Sequence, residues 1–240
     1  MIIESARAAA TDMTRPEFRS TLLKSLGLTL LALAALWFGL RELFAAFAWP
    51  WFDAFLPGLP AWAGWVGLVA SIVAGIGLAL ALALLVAPVT ALVASLFLDD
   101  IAELIERSSY PGDAPGTALP AARAAWLSAK FFAVVVLANL VALILLLVPG
   151  INIVAFFIVN AWLLGREFFE FAAMRFLPER EAKALRSRHS GTVFLAGLIV
   201  AGFLAIPIVN LMTPLFGAAL MVHLHKAIAA RDAIRDAARR

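Results

Sequence analysis

The sequence has no cysteine and very little charge. Its 240 residues include no Cys, and only 15% of them are Asp, Glu, Lys or Arg. The missing cysteines exclude disulfides, zinc–thiolate sites and cysteine-ligated iron–sulfur clusters. The low charge is unlike that of a soluble domain, in which about 25% of residues are charged. A soluble enzyme, a nucleic-acid-binding domain and a disordered regulator are therefore excluded.

Apolar residues are abundant instead. They make up 64% of the chain, whereas soluble domains contain about 45–50%, and a soluble fold of this length could not bury that much apolar surface. The net charge of +3 is better explained by Lys and Arg in cytoplasmic segments of a membrane protein than by binding to nucleic acid. We therefore predict an all-α integral membrane protein whose partner is the lipid bilayer.

Four charge-free runs divide the chain. They cover residues 25–40, 54–98, 131–165 and 190–222. One membrane span requires about 20 apolar residues, so the first run, extended to residue 47, predicts one span. The second run, after the turn-rich Pro57–Pro60, predicts a second long helix that Pro88 could kink.

The third and fourth runs are each broken by a Pro-x-x-Asn motif. The motifs are Pro149–Asn152 and Pro207–Asn210. The arms on either side would be about 22–27 Å long if helical, whereas the hydrocarbon layer is about 30 Å thick. A hairpin that enters the membrane and returns fits these lengths better than two full spans. We expect Asn152 and Asn210 to satisfy backbone groups that are freed at the hairpin tips.

The positions of Lys and Arg support this layout. Residues 1–24, 99–130, 166–189 and 223–240 contain four, three, six and five of them, and residues 41–60 contain one. Two spans and two returning hairpins leave only 41–60 on the far side, in agreement with the positive-inside rule. If the third and fourth runs were single spans, the segment 166–189, with its six Lys and Arg residues, would instead lie outside. The pattern does not distinguish partly inserted hairpins from full double spans.

These patterns predict one membrane-embedded domain over residues 1–240. Its elements are a surface helix (1–13), a first span (14–47), a second long helix (61–107), and hairpins over 121–176 and 190–236. Thr14–Glu17 has the sequence of a capping box that would open the first span.

Arg15 and Arg19 form the first candidate site. They lie one turn apart at the predicted start of the first long helix. Helix N-terminal N–H groups together with two cations can bind an oxyanion. The alternative is that both arginines anchor the helix at the membrane edge by extending their charged ends into water.

An acidic segment forms the second candidate. Residues 99–103 read Asp-Asp-Ile-Ala-Glu, which resembles the magnesium-binding motif of pyrophosphate-processing enzymes, and Glu167 and Glu170 could supply the facing carboxylates. The alternative is that these residues form i,i+4 ion pairs at helix ends. The expected pairs are Glu103–Arg107 and Arg166–Glu170.

Asn160 is a polar residue inside an apolar run. It shares a predicted helix face with Glu167, and because a buried amide needs a partner, contact with another helix is favoured over substrate binding. His223 and His225 are two residues apart, so on a helix they point to different sides and form a poor metal pair. We expect no metal site, no cofactor and no catalytic residues.

Four segments resemble one family. They are residues 14–19, 97–112, 160–173 and 207–214, the last leading to His223. Their order and spacing resemble the CysZ family of bacterial inner-membrane sulfate permeases. The resemblance implies two long transmembrane helices, two partly inserted hairpins and homo-oligomers. It also implies a multi-pass protein that takes up sulfate for sulfur assimilation and cysteine biosynthesis.

The resemblance also implies a sulfate site. The family has a Pro-x-Leu-Arg-Arg entry to the first long helix, and the matching positions here are Pro16–Ser20. Arg19 matches one arginine, Ser20 takes the place of the other, and Arg15 could substitute for it. Arg15, Arg19 and Ser20 are therefore the expected sulfate-binding residues.

The predicted function is that of a sulfate permease and not of an enzyme. Two alternatives remain open. One is a magnesium-dependent membrane enzyme that acts on a lipid pyrophosphate through the acidic residues. The other is a membrane scaffold that transports no substrate.

Overall fold

In a computed structural model, the described residues are 1–55, 64–120, parts of 122–137, 151–206 and 209–238. These residues form helices joined by short turns, and no strand occurs among them. The helices are α1 (Ile2–Asp12), α2 (Pro16–Phe55), α3 (Gly64–Ser95), α4 (Leu98–Ser109), α5 (Ile151–Met174), α6 (Glu179–Arg188), α7 (Ser190–Leu204) and α8 (Thr213–Ala237). A short 3₁₀ helix, Val209–Met212, precedes α8, and the described residues of 122–137 are also helical. The predicted all-α fold is confirmed.

Two described segments are long and apolar enough to cross a membrane. They are Pro16–Ala46 in α2 and Val209–Ala237, which includes α8. Only 11% of the apolar window in the first segment is buried within the protein, whereas 72% is buried in the second. α2 therefore presents apolar side chains outward, as contact with lipid requires. α8 is instead the central helix of the packed core.

The predicted second long helix over 61–107 consists of two helices. α3 continues through Pro88 and ends at Ser95. The amides of Leu96 and Phe97 donate to carbonyls three residues back, at 3.1 and 2.9 Å, and α4 begins at Leu98. The break falls where the charge-free sequence gives way to an amphipathic one. Because α4 buries one apolar face in the core, its axis is set by that packing and not by continuation of α3.

The second hairpin is built from α7 and α8. α7 ends at Leu204, ahead of the Pro-x-x-Asn motif, and the 3₁₀ turn that contains Asn210 begins at Val209. Pro207 itself lies outside the described residues. Asn210 contributes to this turn through its backbone N–H, which donates to the Ile206 carbonyl at 2.9 Å. At the opposite ends of the arms, His189 Nε2 lies 3.1 Å from Asp232 Oδ2. The two arms are therefore antiparallel and return to the same side.

The first hairpin is described through its second arm, α5. The predicted tip at Pro149 lies outside the described residues, and Asn152 falls in the first turn of α5, where only its backbone is described. α5 packs closely on α7, because small residues bring the two backbones together. A Cβ on Gly197 would lie 2.0 Å from the Ala161 carbonyl oxygen and 3.0 Å from Gly165 Cα.

α6 is an element that the sequence analysis does not predict. It is a charged surface helix that meets α7 at an angle of 90°, and it buries only Ala182 and Leu185. α1 corresponds to the predicted surface helix, and it packs on α8 and α7 through a face that includes Ser5, Ala9 and Asp12.

Candidate functional site

The predicted anion site lies at the junction between α1 and α2. Pro16 is the first residue of α2, and the Arg19 N–H donates to the Arg15 carbonyl at 3.0 Å. The Thr14 hydroxyl donates to the Thr11 carbonyl at 2.7 Å. The Thr14 hydroxyl therefore bonds to the last turn of α1, and the capping box at the start of α2 stays a prediction.

Arg15 and Arg19 have different environments at this junction. The Arg15 Nε lies 3.0 Å from Asp12 Oδ1, and the Asp12 side chain is only 3% exposed. Arg15 also lines an open groove with Glu17, Asp100 and other charged residues of α4. Its charge is therefore partly neutralised, and its role includes holding α1 to α2.

Arg19 and Ser20 are both exposed in the first two turns of α2. Within the described part of the chain, the Arg19 guanidinium has no ion-pair partner. The structure therefore separates the predicted residues into a structural arginine, Arg15, and an available one, Arg19.

A buried polar network lies directly behind Arg15. Asp12 Oδ2 is 2.7 Å from His223 Nε2, and His223 Nδ1 is 2.8 Å from the Tyr110 hydroxyl. The Asp12 and His223 side chains are both nearly inaccessible to water. The network ties the α1–α2 junction to α8 and to the segment after α4. Sequence reasoning missed it, although the placement of Asp12 on the same face of α1 as Ala9 was an available signal.

A second buried network surrounds Arg175. Its Nε donates to Glu106 Oε1 at 2.7 Å, it also pairs with Asp99, and Glu106 Oε2 accepts a bond from the Gly116 N–H at 2.9 Å. Burial opposes the charge of Arg175, but Glu106 and then Asp99 raise its pKa above the usual value. Burial raises the pKa of Asp99, an effect that Arg175 opposes. Asp99 and Arg175 are therefore engaged in joining α4 to the end of α5.

The acidic residues do not converge on one metal position. Asp100 and Glu103 line the groove beside Arg15, whereas Asp99, Glu167 and Glu170 line a separate cavity. Across the described ranges, no three His, Cys, Asp or Glu side chains are grouped so that they could hold a metal ion. The geometry therefore gives no support to the magnesium-dependent enzyme.

The alternative interpretation of these residues, helix-end ion pairs, is confirmed. Glu103 pairs with Arg107, and Arg166 Nε lies 3.6 Å from Glu170 Oε1. A closer partner of Glu170 is Arg186 of α6, at 2.8 Å. Glu170 thus links α5 to α6. This contact cannot be predicted from the spacing of residues on one helix, because it depends on the tertiary fold.

Among the described residues, the hydrogen bond of the Asn160 side chain lies within its own helix. Its Nδ2 donates to the Phe156 carbonyl of its own helix at 2.8 Å. A bond to the carbonyl four residues back satisfies an amide inside an apolar run without any second helix. His225 is a core residue, stacked on Phe176 with ring centroids 5.2 Å apart.

One comparison with known proteins gives a match. The family model described as EI24, sulfate transporter CysZ/Etoposide-induced protein 2.4, matches residues 5–214. The match begins within α1 and ends at the start of α8. No curated protein matches the chain.

Proposed function

Because the chain belongs to the EI24/CysZ family, a family of transporters, we propose that it is an anion permease whose substrate is sulfate. The family match is the observation that carries this proposal. The exposed Arg19 in the first turns of α2 supports it, since it supplies a free cation where a helix presents unpaired N–H groups.

We place the capture of sulfate at the N-terminus of α2. Pro16 has no N–H, so the free backbone donors begin with Glu17 and Phe18. The Arg19 guanidinium can form two parallel bonds to one oxyanion, and the Ser20 hydroxyl adds a further donor on the same exposed end. Arg15 contributes a screened charge because Asp12 holds it.

The proposed route is channel-like. Ionisable residues within the apolar runs are few, and proton-coupled transport usually requires such residues. Moving a dianion through a bilayer also requires a shielded polar path, and the contact between α5 and the second hairpin is where we place it. Sulfate uptake into the bacterial cytoplasm for cysteine biosynthesis, insertion in the inner membrane and assembly as a homo-oligomer belong to the same proposal.

The role of Arg19 can be tested by uptake of radiolabelled sulfate into proteoliposomes. We expect Arg19→Ala to reduce the initial rate by about tenfold or more, since a lost charge-assisted contact changes affinity by at least that factor. Arg7→Ala, which removes an exposed cation from α1, is the matched control and should transport at the wild-type rate. Equal rates for wild type and Arg19→Ala would remove Arg19 from the mechanism.

A further inference from the structure

A small cavity lies at the charged end of the first hairpin. It is partly open, it is lined mainly by residues of α4, α5 and α6 together with Leu127 and Lys130, and its volume is about 90 Å³. That volume can hold several water molecules or one small polar group. Its walls combine apolar side chains such as Phe171 and Met174 with charges of both signs. The charged side chains on its surface include Asp99, Lys130, Arg166, Glu167, Glu170 and Lys183.

The sequence of α5 places this cavity at the level of lipid headgroups. The helix carries no charge from Ile151 to Gly165 and then reads Arg166-Glu167. Trp162, one turn earlier, is exposed, and the Arg166 guanidinium lies 5.7 Å from the centre of its ring. Tryptophan and arginine in this arrangement are typical of the boundary between hydrocarbon and water.

Most of the charges around the cavity already have partners. Asp99 pairs with Arg175, Glu170 with Arg186 and Arg166, and Lys183 with Glu179. Among the described residues, Lys130 and Glu167 have no ion-pair contact. Both line the cavity, and the charges of Arg166 and Lys130 both act on Glu167. In the described part of the cavity wall, Lys130 and Glu167 are therefore a cation and a carboxylate that a ligand could pair with.

We propose that this cavity binds the headgroup of a zwitterionic aminophospholipid. The lipid phosphate would contact Lys130, and Arg166 would add a second positive charge nearby. The primary ammonium would donate to Glu167. The acyl chains would follow the apolar wall toward the bilayer. A simple anion would leave the partly buried Glu167 carboxylate without a partner, which is unfavourable. Phosphatidylglycerol lacks a cation, and the choline headgroup has no N–H to donate. The proposal does not depend on the transported substrate.

The test is lipid binding by native mass spectrometry of the full-length, delipidated protein. Phosphatidylethanolamine, phosphatidylglycerol and phosphatidylcholine with identical acyl chains are compared. We expect the wild-type protein to bind phosphatidylethanolamine about tenfold more tightly than the other two, the factor that one charge-assisted hydrogen bond provides. Glu167→Gln should abolish this preference, and Lys130→Gln should weaken binding of all three lipids. Glu103→Gln, which removes a carboxylate outside the cavity, should bind as the wild type does.

Several results would overturn the assignment. Equal affinity of the wild type for the three lipids is one, and an unchanged preference in Glu167→Gln is another. Displacement of the lipid by an equal concentration of inorganic phosphate would show that the cavity selects a free anion. Melting temperatures without lipid check the fold of each variant, and Glu167→Asp, which keeps the charge, should retain the preference.

Discussion

Single buried charges determine which parts of this chain hold the fold together and which remain available to a ligand. Arg175 and Glu106 are 2% and 4% exposed and pair at 2.7 Å, and Asp12 and His223 form a second pair across the protein. Breaking such a pair leaves an uncompensated charge in a poorly solvated place. Arg19 and Lys130 contrast with them because both are exposed and, among the described residues, have no such partner.

The buried network around Arg175 predicts how single substitutions change the stability of the protein. Arg175→Met should destabilise the protein by about 3 kcal/mol or more, because the buried Glu106 and the partly buried Asp99 both lose their cation. Arg175→Met combined with Glu106→Gln should recover part of that loss, since it removes one of the stranded charges. Melting of the full-length protein in detergent would measure both changes.

An exposed pair provides the control for this prediction. Arg107 and Glu103 are paired on α4 but largely accessible to water, so Arg107→Met should cost less than about 1 kcal/mol. Equal losses for Arg175→Met and Arg107→Met would show that the buried network does not stabilise the fold.

The sequence predicts some of these residues and not others, for a physical reason. Glu103–Arg107 and Arg166–Glu170 follow from i,i+4 spacing on a helix. Asp12 and His223 are far apart in the chain, as are Glu106 and Arg175, and nothing local specifies that they meet. Asn160 can bond to its own helix backbone or to a neighbouring helix, and the local sequence does not distinguish the two.

At the scale of elements, charge-free runs and breaker motifs account for most of the architecture. The run at 190–222 with its Pro-x-x-Asn motif predicts two antiparallel arms, and α7 and α8 have that arrangement. The break after Ser95 and the charged helix α6 were not predicted. Both depend on which face of an amphipathic segment packs against the core, and the pattern of charge along the sequence does not specify which face that is.

The crossing of α5 and α7 gives a prediction for an element. Gly197→Ala should destabilise the protein by about 2 kcal/mol, because its Cβ would lie 2.0 Å from the Ala161 carbonyl oxygen and force the helices apart. The change in melting temperature of the full-length protein in detergent would measure this loss.

Gly202 of the same helix is the matched control, since a Cβ there meets nothing within 4 Å. Gly202→Ala should be neutral or stabilise by up to about 1 kcal/mol through its higher helix propensity. Similar destabilisation by both substitutions would mean that α5 and α7 do not cross closely.

At the scale of the whole molecule, the layout predicts that almost all polar segments share one side of the membrane. Antiparallel arms bring the start of α7 and the end of α8 together, as the 3.1 Å contact between His189 and Asp232 shows. The cations are concentrated on these segments, and residues 41–60 contain only Arg41.

This layout can be tested with single cysteines, because the chain has none of its own. Ser187→Cys and Ala230→Cys, both at exposed positions, should react with a membrane-impermeant maleimide from the same side as Arg7→Cys. Arg41→Cys should react only from the opposite side. Labelling of Ser187→Cys and Ala230→Cys from opposite sides would show that the second hairpin crosses the membrane once instead of returning.

We propose that the assembled protein conducts sulfate, and the initial rate of radiolabelled sulfate uptake by the wild-type protein in proteoliposomes measures this conduction directly. An inward sulfate gradient should drive uptake well above that of protein-free vesicles of the same lipids. Excess unlabelled sulfate should suppress the signal, whereas excess chloride should not, since a single-atom anion cannot present two oxygens to the Arg19 guanidinium. An uptake rate equal to that of protein-free vesicles would show that the protein does not conduct sulfate.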